Sequence, residues 1–226
     1  MAGLAPDSLR LGLVAHWTCD EGSGGTLVDH SGNHHDGTID GATWTDGHFA
    51  GALHFEQGNS VTVPSFPQAT NGWTVSLWNR SPAGDYGSDF LTLVSAEIPF
   101  VGGWEWNVRL SPSDTRYHFG YPHGGDADTD YNYNDCRCVE TSQWTHMVGV
   151  VDGDARRLSI YKNGVLQEET AVTDTIQPGS SDLFMGRWYL QDRMLVGDLD
   201  DIVIYNRALV PAEIRALFTQ PAPDPR

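Results

Sequence analysis

The hydrophobic and polar positions of this chain alternate in short runs, punctuated by Gly, Asp, Asn and Pro. Alternation with period two predicts half-buried strands, and the punctuating residues predict the turns between them. Leu11 to Thr18 predicts a first strand, with Leu13, Ala15 and Trp17 on one face and Val14 and His16 on the other. Short strands follow from Thr38 to Val63, with Phe49, Leu53 and Phe55 as core candidates. Trp73 to Trp78 alternates strongly, so placing Val75 and Leu77 in a core leaves Thr74, Ser76 and Trp78 on the far side of that sheet. Trp104 to Leu110 and Tyr117 to Tyr121 predict a hairpin turned at Ser111-Pro112-Ser113-Asp114. There Trp106, Val108 and Leu110 point inward, while Glu105, Asn107 and Arg109 share the opposite face. Pro122 to Cys138 has no helix pattern and reads as a long loop holding Tyr131 and Tyr133.

Trp144 to Val151 and Arg157 to Tyr161 predict strands joined through Asp152-Gly153-Asp154, and Lys162-Asn163-Gly164 is a type I′ hairpin signal. Leu183 to Trp188 predicts another strand. Pro211 to Phe218 predicts a single short helix, with Pro just inside its start and Ile214, Leu217 and Phe218 on one face. The predicted fold is all-β: a two-sheet antiparallel jelly-roll sandwich with one short C-terminal helix. The predicted organisation is an N-terminal extension over 1–10, one domain over 11–219, and a Pro-rich tail over 220–226.

The run from Gly197 to Leu209, GDLDDIVIYNRAL, predicts the strand on which the rest depends. Regular alternation puts Asp200 on the same face as Ile202 and Ile204, at the edge of an apolar layer. A buried carboxylate in that place must be protonated, paired with a cation, or bound to a metal. Calcium is the natural ion for carboxylates and carbonyls. The plainer alternative is a half-exposed carboxylate that caps a backbone N–H. Two loops, Asp20 to Gly25 and Asp29 to Gly37, are rich in Asp, Asn and Gly. They suit oxygen coordination, and they equally suit ordinary turns. His34 and His35 read as exposed loop residues.

GDLDDIVIYNRAL, followed by the Pro-Ala-Glu-Ile helix start, resembles the C-terminal signature of LamG-like jelly-roll domains (laminin G-like family 3). These belong to the concanavalin A-like lectin/glucanase superfamily. The resemblance extends through GLVAHWTCDEGSGGTLVDHSGNHHDGTIDGATWTDGHFAGALHFEQ, WTVSLW, QWTHMVGVVDGDARRLSIYKNGVL and DLFMGR, in that order. It is poor from about Asn79 to Cys138, where individual function is expected. The resemblance implies one structural calcium ion between the N-terminal loops and the penultimate strand. Asp200 would be its main ligand, Asp20 and Asn33 the next, and Asp29 or Asp36 reserves. It also implies a glycan-binding concave face, on the far side of the Trp73 to Trp78 strand.

Thirteen Lys and Arg against thirty Asp and Glu give a net charge of −17. That balance argues against nucleic acid, which needs a basic face, and leaves neutral glycans and calcium as partners. No apolar run approaches the ~20 residues that cross a bilayer, so no membrane insertion is expected. Met1 to Leu13 lacks the pattern of a signal peptide. Cys136 and Cys138 are too close to pair comfortably, and with the distant Cys19 they do not match zinc-ligand spacing.

A sugar site needs aromatic platforms beside hydrogen-bonding groups. The aromatic candidates are Trp78, Trp104, Tyr131, Tyr133, Trp188 and Tyr189; the polar ones are Asn107, Arg109, His118 and Arg187. No strand carries a paired-carboxylate glucanase run. Asn107, Arg109, Tyr117 and His118 supply the residue types of a polysaccharide lyase, without that family's motifs. The expected function is therefore a non-catalytic, lectin-like carbohydrate-binding module that is monomeric and part of a secreted or surface bacterial protein. The alternatives are a lyase or glycosidase of the same fold and an adhesion or protein-recognition module.

Overall fold

The computed structural model describes residues 8–67, 72–82, 91–96, 106–111, 116–122, 131–136, 142–172, 180–188 and 194–222. Sixteen strands and one α-helix follow in order among these residues. The strands are β1 (Leu13–Trp17), β2 (Thr26–Leu27), β3 (Gly37–Asp40), β4 (Thr43–Asp46), β5 (Gly51–Phe55), β6 (Ser60–Pro67), β7 (Gly72–Arg80) and β8 (Leu91–Ala96). The chain continues with β9 (Trp106–Ser111), β10 (Arg116–Pro122), β11 (Tyr131–Cys136), β12 (Thr145–Asp152), β13 (Arg157–Lys162), β14 (Val165–Ala171), β15 (Ser180–Met185), β16 (Gly197–Tyr205) and α1 (Pro211–Thr219).

Two antiparallel sheets result, in line with the predicted jelly-roll sandwich. The first runs β14-β13-β12-β7-β16-β5-β4, with β1 also paired to β16; the second runs β11-β10-β9-β8-β15-β6-β3-β2. β16 is central because it is long. Gly197 to Leu199 pair with β5, while Ile202 to Tyr205 pair with β1 on the same edge, and β7 takes the other edge. Between the sheets lie Trp17, Leu53, Phe55, Val61, Phe66, Trp73, Val75, Leu77, Phe119, Leu183, Met185, Ile202 and Ile204, all buried. A Cβ on Gly149 of β12 would stand 2.2 Å from the Phe119 ring of β10, so only glycine lets the two sheets approach there.

The helix packs on the outer face of the first sheet. Ile214 and Leu217 bury against Val148, Val150, Val203 and Tyr205. The Glu213 carboxylate accepts the Val210 N–H and two bonds from Arg207, which also donates to the Ser8 and Leu11 carbonyls. Asn163 and Gly164 take positive φ, 49° and 75°, as the type I′ turn requires.

The structure departs from simple alternation in three places. Asp201 has φ 45°, and the β16–β7 register shifts between Asp200 and Val203. This bulge turns Asp200 away from Ile202 and Ile204, which face the core, and puts it on the outer face of the first sheet. The expectation that the three share a face is corrected on that ground. A second register shift, between Leu13 and Ala15, separates Leu13 from Ala15 and Trp17, so Val14 joins the inner core. Third, Tyr131–Cys136, expected within a loop, is an edge strand paired to β10. Its Asn and Asp residues are poor strand formers, but edge pairing outweighs that preference.

Candidate functional site

The first group of candidates surrounds Asp200. Its side chain is fully buried, and Oδ2 accepts the N–H groups of His48 and Phe49 at 2.8 and 2.9 Å. Oδ1 is buried and has no hydrogen-bond partner. Burial pushes the Asp200 carboxyl up to about 7, opposed by those two N–H bonds and reinforced by the charges of Asp201 and Asp20. Asp20 Oδ1 accepts the Gly51 N–H at 2.7 Å. A Cβ on Gly51 would lie 2.4 Å from the Cys19 carbonyl and 3.2 Å from Asp20 Oδ1, and one on Gly47 would lie 2.8 Å from Asp200 Oδ2. Glycine at 47 and 51 thus leaves a small cradle walled by oxygen atoms. Neighbouring Asp201 accepts a 2.7 Å bond from His16 Nε2.

The structure brings Asp20 and Asp200 to one loop and leaves Asn33 elsewhere. Asn33 Nδ2 donates to the Leu13 and Val14 carbonyls at 3.2 and 2.9 Å. That end of β1 lies opposite Ile204 and Tyr205, on the order of 15 Å from Asp200 at the usual rise per strand residue. Asp29 accepts from His16 N, Ser31 N, Ser31 Oγ and His35 N, and Asp36 accepts from Asp29 N. Both reserves therefore build the turn. Among the described residues, no three His, Cys, Asp or Glu side chains form a metal-binding group, so a cation here would rely on carbonyls.

The second group lies on the outer face of the second sheet. One row of paired residues crosses seven strands: Thr38, Thr62, Phe184, Ser95, Asn107, Gly120 and Tyr133. A parallel row holds Thr92, Arg109, His118 and Asp135. The sequence neighbours Val61, Val63, Leu183, Met185, Val94, Tyr117 and Phe119 are core residues, so both rows take the opposite face. Register also puts Tyr131 with Tyr133 on that face. By backbone register, the positions of Asn107, Arg109, His118, Tyr131 and Tyr133 thus fall along one face. Trp104 and Tyr189 lie outside the described residues.

Arg187 and Trp188 follow β15 directly. The Arg187 guanidinium sits 4.0 Å from the Phe184 ring centroid, and its carbonyl accepts the Ser95 hydroxyl at 3.3 Å. Trp188 is 5% exposed, so it supports this face rather than offering an open ring. Phe184 was missed at the sequence level. Its signal was its position between the inward Leu183 and Met185.

Trp78 does face away from Val75 and Leu77, but the helix side of the first sheet is covered. The indole is 2% exposed, stacked on His48 at 3.5 Å and on Phe218 of α1 at 5.7 Å. It is corrected from sugar platform to packing residue. Beside it His146 is buried and hydrogen-bonded with Ser76 Oγ at 2.8 Å; burial lowers its pKa to about 3. Tyr117, a member of the lyase set, is turned into the core and donates its hydroxyl to Asn79 Oδ1 at 2.9 Å. It therefore lies on the opposite face from His118.

A family model, Laminin G 3, described as concanavalin A-like lectin/glucanases superfamily, matches residues 55–215. No curated protein matches the sequence. Among solved structures, the chain is similar to domain 4 of AbnA, a GH43 extracellular arabinanase from Geobacillus stearothermophilus, in complex with arabinotriose. The TM-score is 0.69 at 22% identity, covering 91% of this chain and 97% of that one. The binding domain of Paraclostridial Mosquitocidal Protein 1 gives 0.74 at 17% identity, with 93% and 52% covered. The botulinum neurotoxin serotype G binding domain gives 0.70 at 15% identity, with 92% and 50% covered. The chain spans about half of each toxin domain, and at these identities the likeness is one of fold. With the family match extending over more than half of its length, the chain belongs to the Laminin G 3 family of the concanavalin A-like lectin/glucanases superfamily.

Proposed function

We propose that this chain is a non-catalytic carbohydrate-binding domain of a secreted or surface bacterial protein. The glycan lies across the outer face of the second sheet. The observation that carries the reading is the outward row of backbone positions from Thr38 to Tyr133, exposed at Thr38 and buried at Ser95 and Phe184, where the Arg187 guanidinium lies over the ring. Such a face offers hydrogen-bonding groups to sugar hydroxyls, with the Arg187 guanidinium held over the buried Phe184 ring. Two fold neighbours add support: the arabinanase domain was solved with arabinotriose, and a botulinum neurotoxin DC binding domain in complex with SialylT. Tyr117, the acid that the lyase set pairs with His118, is turned into the core.

A single calcium ion is part of the same proposal. The unpartnered Asp200 Oδ1, the Asp20 carboxylate and the Cys19 carbonyl fit it, and Asn33 does not. When bound, the ion supplies positive charge between the first loop and β16. Asp200 then holds the Gly47–Gly51 turn through its bonds to His48 and Phe49.

A glycan array, followed by reducing-end and unsaturated-product assays on the binders, tests the reading. The expected result is retention of at least one glycan without product. An array with no binder would refute it, as would turnover that His118→Ala abolishes.

A further inference from the structure

We infer that the glycan is neutral, its adjacent hydroxyls being read by Arg187, Asp182 and Asp40 around the Phe184 ring. This deepens the glycan-binding reading above and rests on it. Arg187 is held flat on Phe184 by a cation–π contact, and its Nε is buried without a hydrogen-bond partner. Among the described residues its guanidinium makes no ion pair. Arg80, Arg157 and Arg207, by contrast, are paired with Asp198, Glu169 and Glu213. A half-buried guanidinium fixed on a ring, its Nε without a partner among the described residues, is arranged to donate to a ligand.

Two carboxylates share its surroundings. Asp182 sits two residues before Phe184, is exposed, and uses Oδ1 to accept the Ser65 N–H at 3.0 Å. Asp40 ends β3 and is exposed; its neighbour Ile39 packs on the core and pairs with Val61, so Asp40 faces outward. Asp182 lies two residues from Phe184 along β15, and Asp40 two residues from Thr38, which shares a cross-strand row with Phe184; burial lowers the Arg187 pKa, and the charges of Asp182 and Asp40 oppose that effect.

Charge then decides the ligand class. Two exposed carboxylates already share this face with one guanidinium, so a uronate or sialate would add a third negative charge against a single positive one. The net charge of −17 acts in the same direction, screened beyond about 8 Å at physiological salt. A neutral sugar meets no such repulsion. Each hydroxyl both donates and accepts, so the guanidinium N–H groups donate to one hydroxyl oxygen while a carboxylate accepts the proton of the next.

Calorimetric titration of the whole chain with two oligosaccharide sets tests this. The neutral set is arabino-, xylo-, cello- and manno-oligosaccharides together with any neutral array binder; the acidic set is oligogalacturonate and sialyllactose. A neutral compound is expected to bind while both acidic ones fail at the same concentration. Arg187→Ala and Arg187→Lys should each weaken binding about tenfold or more, and Asp182→Asn should weaken it too, with circular dichroism unchanged. The lysine variant keeps the charge and decides the matter if the alanine variant does not fold. Stronger binding of an acidic compound would overturn the ligand class and leave glycan binding standing. So would a neutral binder that Arg187→Lys leaves unaffected. Absence of binding by both sets would overturn the class and the underlying reading together.

Discussion

At the scale of the residue, Asp200 carries the most chemical information. It is fully buried, half of its carboxylate is satisfied by two N–H groups, and the other half has no partner. An unpaired buried carboxylate is costly, and a bound cation removes that cost. Binding to the folded state alone stabilises by about 2.7 kcal/mol at a hundredfold excess over Kd. For a domain of this size that corresponds to roughly 5–10 °C in melting midpoint. A calcium-chelator melting comparison should show such a drop in the native chain and none in Asp200→Asn. Identical midpoints with and without chelator in the native chain would remove the ion from the proposal. The family resemblance named Asp200 and Asp20 together, and both accept N–H groups of the Gly47–Gly51 turn. The sequence did not place Asn33, since composition alone cannot say whether an Asn side chain faces a cation or ties down two carbonyls.

At the scale of the element, the lesson is about alternation. The strong period-two pattern of β7 gives the correct faces, because one apolar side is obligatory there. β16 and β1 fail the same reading through one bulge each, and an extra residue in a strand leaves no clear mark in hydrophobicity. Trp78 shows a related limit. Its face was right, but whether that face is open depends on α1, far away in sequence, which lays Phe218 over it. Trp78→Ala should therefore act on packing. Loss of about 3–5 kcal/mol in urea denaturation is expected, with glycan affinity retained in the folded fraction. A fall in affinity with unchanged stability would mean that the helix side of the sandwich is where ligand binds.

At the scale of the whole molecule, the two sheets have different outer surfaces. Helix α1, with Leu9, Leu209 and Ala222, covers much of the first, and the Arg207–Glu213 pair ties the helix to the N-terminal segment. The second presents rows of Thr, Ser, Asn, His and Tyr positions around Phe184 and Arg187. One side serves stability, and the proposed glycan site takes the other. Amide chemical-shift mapping with the tightest oligosaccharide from the array tests that division most directly. Shifts are expected at Thr62, Ser95, His118, Phe184 and Arg187, with little change at His48, Trp78 or Trp144; the reverse pattern would contradict it.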